Sequence, residues 1–252
     1  TASNNVGIGR RSLYYNTTGH SNTAVGYIAL QANTTANHNA GFGYWALKSV
    51  TTGISNVGLG SNAGRTITTG TQNTASGAYA LSNATTPDGN TAFGYSAVAE
   101  TTTGSGLTGV GQLALQNNTT GTNSVAVGSE CLRVQTTGTG NTGTGFRALW
   151  SLTTGINNTG VGLYSLNNCT TGARNCGVGY YTGHLISTGE DNVAIGYAAL
   201  HNNQTSDENV AIGYAALYSA TGANNIAIGY DSGRSNSPGG NITSASNRIV
   251  MG

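Results

Sequence analysis

Polar, small and large apolar residues follow one another in a short motif that recurs along this chain. Residues 192–196 (NVAIG) show it in full: Asn, a β-branched residue, Ala or Gly, a large apolar residue, and Gly. Large and small residues alternate with a period of two, which predicts a β-strand. The motif glycine recurs every 17 residues, with a last step of 16, at Gly9, Gly26, Gly43, Gly60, Gly77, Gly94, Gly111, Gly128, Gly145, Gly162, Gly179, Gly196, Gly213 and Gly229.

A fixed repeat of this length predicts a solenoid. Helix-turn-helix repeats need about 33 residues or more, so a 17-residue unit fits one turn of stacked parallel strands. We therefore predict an all-β fold, a parallel β-solenoid (β-roll or β-helix) of about fourteen coils over residues 1–234. Residues 235–252 are predicted to form a loop and a terminal handover or capping coil. The segment after each motif glycine could instead form a single helical turn, and the periodicity leaves this open.

The repeat positions also predict what fills each coil. Leu, four residues after the glycine in most coils, and the large residues one and three before it are expected to point inward. The Asn four residues before the glycine is expected to form a ladder of side-chain amides that bond to one another.

The small residue two places before the glycine is then expected to face outward, where identical chains could approach closely. The alternative is that it faces inward in a very narrow coil. On the first interpretation, the solenoid is a homotrimeric rod and the interface contains Ala24, Ala92, Ala126, Ala194, Ala211 and Ala227.

Composition excludes several classes of protein. Only 7% of the residues are charged and the net charge is +1, whereas an ordinary domain carries about 25% charged residues. The basic surface of a nucleic-acid-binding protein is therefore absent. No apolar run approaches the roughly 18 residues that cross a bilayer, so we expect no membrane insertion. Three cysteines, an odd number without metal-ligand spacing, are expected to be small buried residues rather than a disulfide framework.

Catalytic motifs are not found in the sequence, and we expect neither an enzyme nor a cofactor. No nucleophile-elbow motif is present, and the short glycine patterns lack the strand-then-helix context of a phosphate-binding loop. His184 and His201 share one repeat position in neighbouring coils, so their rings are expected to lie close together. Surface histidines are a better interpretation of this pair than a metal site.

Acidic residues cluster in two adjacent coils. Arg174, Asp191 and Glu208 share a repeat position, which predicts that Asp191 pairs with Arg174. A solvated acidic edge is the favoured interpretation of the cluster. The weaker alternative is a divalent-cation site formed by Glu190, Asp191, Asp207 and Glu208.

Aromatic residues are the other candidates for function. Tyr often follows the motif glycine, which predicts a structural ladder of rings. Other aromatic residues lie at repeat positions where most coils have none. Because exposed rings can stack on sugars or on partner surfaces, we take five of them as candidates for receptor contact: Trp45, Tyr79, Trp150, Tyr164 and Tyr218.

Units such as residues 22–30 (NTAVGYIAL) and 192–200 (NVAIGYAAL), closed by Thr-Thr-Gly, resemble the repeats of bacteriophage tail-fibre proteins, marine ones especially. In those proteins the repeats often precede an intramolecular-chaperone domain of the endosialidase type. Residues 246–252 (SNRIVMG) resemble the segment that leads into it. The strand motif is also similar to the head repeats of bacterial trimeric autotransporter adhesins.

The resemblance implies a homotrimer that projects from a virion tail or a cell surface and contacts a host glycan or an outer-membrane receptor. On this basis we expect a structural and adhesive fibre segment, located on a virion or outside the cell. The alternative function is ice binding through a stacked Thr ladder. Its members are Thr17, Thr34, Thr51, Thr68, Thr85, Thr102, Thr119, Thr136, Thr153 and Thr170.

Overall fold

The structure, a computed structural model, describes residues 2–234, 242 and 244–252. The chain forms two compact units, Thr1–Ser124 and Val125–Gly252. Each coil contributes one strand of three residues, and this strand ends immediately before the motif glycine. The first unit contains β1 (Val6–Ile8), β2 (Thr23–Val25), β3 (Ala40–Phe42), β4 (Val57–Leu59), β5 (Thr74–Ser76), β6 (Thr91–Phe93) and β7 (Thr108–Val110). The second contains β8 (Val125–Val127), β9 (Thr142–Thr144), β10 (Thr159–Val161), β11 (Cys176–Val178), β12 (Val193–Ile195), β13 (Val210–Ile212), β14 (Ile226–Ile228) and β15 (Ile249–Met251).

Within each unit, consecutive strands pair in parallel and in register. Val193 in β12 lies opposite Val210 in β13, one 17-residue repeat further along the chain. At the single 16-residue step, Val210 lies opposite Ile226, so the strand register is kept although this repeat is one residue shorter. The described residues contain no helix. The predicted all-β parallel β-solenoid is therefore confirmed.

The segment after the motif glycine is a series of tight turns and not a helical turn. Ile28 and Leu30 have left-handed φ values of 61° and 49°. The Ile28 N–H donates to the Arg10 carbonyl of the preceding coil at 3.0 Å, and the Leu30 N–H donates to the Ala46 carbonyl of the following coil, also at 3.0 Å. The backbone of this side therefore bonds from coil to coil, as the strands do.

The side chains of the strands are oriented opposite to our prediction, with the small residues inside the coil and the large residues outside. The middle residue of each strand is buried from the second coil onward, whereas its large neighbours are half-buried or exposed. Ile195, for example, is 37% exposed, whereas Ala194 beside it is 1% exposed. The prediction of an outward interface strip is therefore wrong for Ala24, Ala92, Ala126, Ala194, Ala211 and Ala227, all of which lie inside the coil.

The physical reason is the narrow interior of the coil. The predicted Leu residues do point inward, and most are fully buried. A Cβ atom added to Gly58 in β4 would lie only 2.8 Å from Cγ of Leu47, which reaches across from the turn side. The same crowding affects Gly160 in β10, whose Cβ would lie 3.0 Å from Leu149 Cγ. In β1–β14 the residue at the strand centre is therefore Ala or Gly, because the leucines fill most of the narrow interior.

The buried Asn side chains bond mainly to the backbone and less to one another. In Asn175, Oδ1 accepts the backbone N–H of Asn192 at 3.1 Å, and Nδ2 donates to the Gly189 carbonyl at 2.7 Å. An amide–amide bond is also present, from Asn192 Nδ2 to Asn175 Oδ1 at 3.0 Å. In the pair Asn22 and Asn39, the Asn22 Oδ1 accepts the backbone N–H of Asn39 at 2.9 Å, and the Asn39 amide donates to the Gly53 carbonyl. The Asn positions therefore satisfy buried backbone groups that would otherwise have no partner.

Replacing Asn175 by Ala should lower the free energy of unfolding by about 2–4 kcal/mol, because it removes partners from buried groups in the next coil. Urea titration followed by circular dichroism measures the loss. The matched control is Asn168→Ala, at a half-buried surface position, which should change stability by less than about 0.5 kcal/mol. Equal losses in the two variants would contradict the structural role of this ladder.

The last coil continues the sheet of the second unit. Strand β15 pairs with β14, and Val250 lies opposite Ala227 with only 3% of its surface exposed. A valine therefore occupies the interior position that Ala or Gly fills in earlier strands. Most of the predicted loop lies outside the described residues, since 235–241 and 243 are not among them.

Candidate functional site

One side of the second unit carries a continuous row of aromatic rings, here called the aromatic ridge: Tyr164, Tyr181, His184, His201 and Tyr218. Tyr164 stacks on Tyr181 with ring centroids 5.1 Å apart, and Tyr181 meets His184 edge-on at 4.6 Å. The His184 and His201 rings lie 5.2 Å apart, and His201 stacks on Tyr218 at 4.8 Å. Two repeat positions, two and five residues after the motif glycine, supply these side chains. The predicted proximity of the two histidines is confirmed.

Arginine side chains lie at both ends of the aromatic ridge. The Arg234 guanidinium lies 5.0 Å from the ring centroid of Tyr218 and is held by Asp231 at 2.6 Å. At the other end, Phe146 meets Tyr164 edge-on at 5.6 Å, and the Arg147 guanidinium lies 5.1 Å from the Phe146 ring. The ridge therefore combines aromatic edges with cationic groups along one side of the unit.

A second row of rings runs beside the strands. Tyr180, Tyr197, Tyr214 and Tyr230 stack at 5.4, 4.9 and 5.0 Å, with interplanar angles of 23° or less. Because each ring covers the face of the next, the row presents ring edges and hydroxyl groups to solvent. The predicted structural tyrosine ladder is confirmed here, and in the first unit by Tyr27 and Tyr44 at 5.4 Å.

Trp150 lies over a partly buried cluster of charged residues. Its Nε1 donates to Glu130 at 3.2 Å. The same carboxylate accepts bonds from Arg147 Nε at 3.0 Å and from Arg133 at 3.3 Å, and its side chain is only 16% exposed. Hydrogen bonding from Arg147 and the positive charge of both arginines lower the pKa of Glu130, although burial opposes this shift. Trp150 is thus held in place by Glu130.

The lowered pKa of Glu130 predicts a loss of stability in acid. The carboxylate stabilises the folded chain above the pKa it has when unfolded, and this contribution is lost as the pH falls through its lower folded-state pKa. Glu130→Gln should lower the melting temperature at pH 7. The difference between the melting temperatures at pH 7 and pH 3 should therefore be smaller than in the wild type. Calorimetry at both pH values measures this. The exposed Thr188→Ser variant, which removes no titratable group, should keep the wild-type pH dependence, and an unchanged profile in Glu130→Gln would contradict the prediction.

The two remaining receptor candidates belong to the first unit. Trp45 is half-buried, stacked on Tyr44 at 5.0 Å and covered by the Lys48 ammonium group at 4.2 Å. Tyr79 is 43% exposed and meets Tyr95 edge-on at 6.1 Å. Tyr79 therefore presents more of its ring to solvent than Trp45 does. Of the five candidates, the structure brings Tyr164 and Tyr218 into the aromatic ridge and Trp150 to its Arg147 end.

His184 lies in the middle of the aromatic ridge, beside His201. Burial, followed by the nearby His201, lowers the pKa of its ring below the ordinary histidine value. Its Nδ1 atom is buried and has no hydrogen-bond partner among the described residues. No group of three or more His, Cys, Asp or Glu side chains in the described part of the chain is arranged to hold a metal ion.

The acidic edge is organised by Arg174. Its guanidinium binds both carboxylate oxygens of Asp191, at 2.6 and 2.8 Å, and also pairs with Glu190. The predicted Arg174–Asp191 pair is confirmed. Asp207 accepts the backbone N–H of Glu190 at 2.8 Å, and Glu208 is exposed in the next coil. Three of the four weak cation-site candidates are therefore already engaged by protein donors.

The three cysteines are free thiols, and they differ in environment. Cys131 and Cys169 are fully buried, and burial raises the pKa of each thiol to about 12. Cys176 lies in β11 and is half-buried. The expectation of small buried residues is thus confirmed for two of them. In the described part of the chain, no helix has the length and apolar character needed to cross a membrane.

The Thr-Thr turns form two columns with different roles. The hydroxyl of the first Thr donates to the backbone carbonyl of the Thr one coil further on, as from Thr17 to Thr34 at 2.9 Å and from Thr153 to Thr170 at 3.0 Å. The second Thr, such as Thr188, is exposed. The first column therefore uses its hydroxyl groups to hold adjacent coils together.

The reversed strand orientation creates a surface that sequence reasoning missed. Large residues one and three places before the glycine point outward in both units: Phe93 is 60% exposed, and Val178 and Ile195 are 36% and 37% exposed. The alternation of large and small residues was the available signal, but it does not say which set lies inside. The described residues define a parallel β-solenoid repeat protein. No family model matches the chain, and no significant match is found among curated proteins or solved structures.

Proposed function

We propose that this chain is a structural and adhesive segment of a homotrimeric fibre, which projects from a phage tail or a cell surface. The observation that carries the proposal is the coil-to-coil continuity within each unit. Backbone groups, buried Asn side chains and Thr hydroxyl groups all form bonds between neighbouring coils. Such stacking makes each unit a stiff spacer whose outer columns offer the same chemistry many times over.

The partner of this segment is a host-surface glycan or an outer-membrane receptor. The aromatic ridge supports this part of the proposal, since it joins two receptor candidates, Tyr164 and Tyr218, to cationic and imidazole groups. Ring edges, hydroxyl groups and guanidinium groups suit a polar, ring-containing ligand such as a polysaccharide. Trp150, and Trp45 and Tyr79 in the first unit, remain candidates for further contacts.

Two measurements test the proposal. Light scattering of the purified chain should give three times the chain mass of 25.3 kDa. An array of bacterial lipopolysaccharides and capsular polysaccharides should retain the wild type and lose a Tyr164→Ala/Tyr218→Ala double variant. The control is Tyr14→Ala/Tyr15→Ala, two exposed rings outside the ridge, which should bind as the wild type does. A monomer, or array binding that the ridge variant leaves unchanged, would contradict the proposal.

Ice binding would be recognised by thermal hysteresis at micromolar protein. The hydroxyl groups of the first Thr column are committed to backbone carbonyls, and the acidic residues Glu190 and Asp207 follow the turns of two coils. These observations do not favour a regular ice-binding face. We expect no hysteresis, and measurable hysteresis would overturn the fibre proposal.

A further inference from the structure

The outward face of strands β11–β15 is a continuous apolar surface in the second unit. Neither outward position of these five strands holds a hydroxyl, amide or charged side chain. Exposed fractions are 36% at Val178, 37% at Ile195 and 43% at Ile228, in strands that have a neighbour on both sides. Soluble monomers rarely expose contiguous apolar patches larger than a few hundred Å². This face therefore has the character of an interface rather than of a solvated surface.

The size of the face suits association with another protein chain. Its ten outward side chains lie on five strands that stack over ~19 Å, and a standard stable interface takes ~800 Å² from each partner. The strands beneath it are held by the register pairing of the sheet, so little ordering is needed on binding.

The distribution of side chains along the unit favours an identical partner in one orientation. Strands β9 and β10 present Thr142, Thr144 and Thr159 outward, whereas β11–β15 present only apolar residues and Cys176. Parallel, in-register copies place apolar strands against apolar strands and threonines against threonines. Antiparallel copies, turned about the middle of the unit, would instead place β14 against β9 and cover Ile residues with Thr. The parallel arrangement buries more apolar surface.

We propose that the outward face of β11–β15 is where copies of this chain associate, side by side, parallel and in register. This inference rests on the proposed homotrimer and names its interface. It replaces the small-residue strip, which lies inside the coil. Rotational symmetry about an axis parallel to the strand stack brings the same residue of every copy together at the centre.

Cys176 is a natural reporter for this arrangement. It lies on the proposed face, whereas the other two thiols are fully buried and their raised pKa of about 12 keeps them protonated. Only thiolates react quickly with maleimides. A short trifunctional maleimide should therefore join copies through Cys176, giving dimer and trimer bands on a denaturing gel. Cys176→Ser, which keeps Cys131 and Cys169, should give none.

A second reporter position tests the direction of the chains. In a Cys176→Ser/Ile228→Cys variant, parallel copies should cross-link through β14 as well. In antiparallel copies turned about the middle of the unit, the two β14 strands would be separated by about five strand spacings, or ~24 Å, beyond the reach of a short linker. Cross-linking at Cys176 without cross-linking at position 228 would overturn the parallel register.

A charge substitution tests the face without chemical cross-linking. Ile195→Lys/Ile212→Lys should convert the trimer to a monomer in light scattering and leave the far-ultraviolet circular dichroism unchanged. The matched control, Thr188→Lys/Thr205→Lys, adds the same charge to the exposed Thr column and should remain trimeric. If the Ile variant does not fold, the two cross-linking variants decide the question.

The outcomes separate this inference from the proposed function. A wild-type trimer that shows no cross-linking at either reporter, or an Ile195→Lys/Ile212→Lys variant that stays trimeric, overturns the strand face as the interface and leaves the homotrimer standing. A wild-type monomer in light scattering overturns both proposals. Cross-links at both reporters, together with loss of the trimer in the Ile variant alone, support both.

Discussion

Gly60→Ala is expected to destabilise the first unit by about 3 kcal/mol or more, lowering its melting temperature by about 10 °C. The φ angle of Gly60 is +131°, in a region that residues with a side chain rarely adopt. An added Cβ would also lie 2.8 Å from both the carbonyl carbon and oxygen of Gly77 in the next coil. Both effects oppose the substitution, and the Gly77 backbone cannot move without disturbing its own stacking contacts. Differential scanning calorimetry measures the loss.

The control for this prediction is another glycine with positive φ. Gly89 has a φ of +66°, and a Cβ at that position would meet nothing within 4 Å. Asn occupies the same repeat position in other coils, as at Asn123 and Asn157, with φ values of 54° and 56°. Gly89→Asn should therefore change the melting temperature by less than about 2 °C. A similar loss in both variants would show that coil stacking does not select glycine at the motif position.

Ala194→Glu is expected to unfold the coils around β12, with a loss of more than about 4 kcal/mol. Ala194 is 1% exposed and faces the interior of the coil, where a carboxylate would have no room and no cationic partner. Loss of the circular dichroism signal, or a much lower melting temperature, is the expected result. If Ala194 had belonged to an outward interface strip, this variant would have tested the association of chains. Because Ala194 is buried, the variant instead tests the packing of the coil interior.

Its control is the adjacent outward residue. Val193→Thr should cost about 1 kcal/mol or less, because Thr fills the same outward position at Thr142 and Thr159. If the strand faced the other way, the valine substitution would bury a hydroxyl group and the alanine substitution would be tolerated at the surface. A stable, folded Ala194→Glu variant would contradict the inward orientation.

Three features followed from the sequence with little need for tertiary information. The glycine grid identified one coil per 17 residues because coil stacking demands a glycine wherever one backbone lies directly against the next, as Gly60 does against Gly77. The leucines could be placed inside because a large apolar residue recurs at this one repeat position in most coils. The Arg174–Asp191 contact followed because parallel in-register pairing brings equal repeat positions together.

The aromatic ridge was only partly predictable. Tyr164 and Tyr218 were selected because their repeat positions carry few aromatic residues, but that criterion did not show that the two positions lie side by side. The turns after the motif glycine, with left-handed residues such as Tyr164 at φ 55° and Leu166 at φ 50°, bring them together. Turn geometry of this kind has no clear signal in residue types, because bulky residues seldom adopt positive φ.

The sequence by itself determined the period, the strand position within each coil and the division of strand residues into two alternating sets. Only the tertiary structure decided which set lies inside. A period of two divides the residues between the two faces of a strand but does not say which face is buried. The ordinary expectation is that the larger apolar residues are buried. Here the opposite holds, because Leu47 and its counterparts already fill the narrow coil from the turn side and leave no space even for a methyl group at positions such as Gly58. The valines and isoleucines are consequently displaced to the outside, where they form the apolar face.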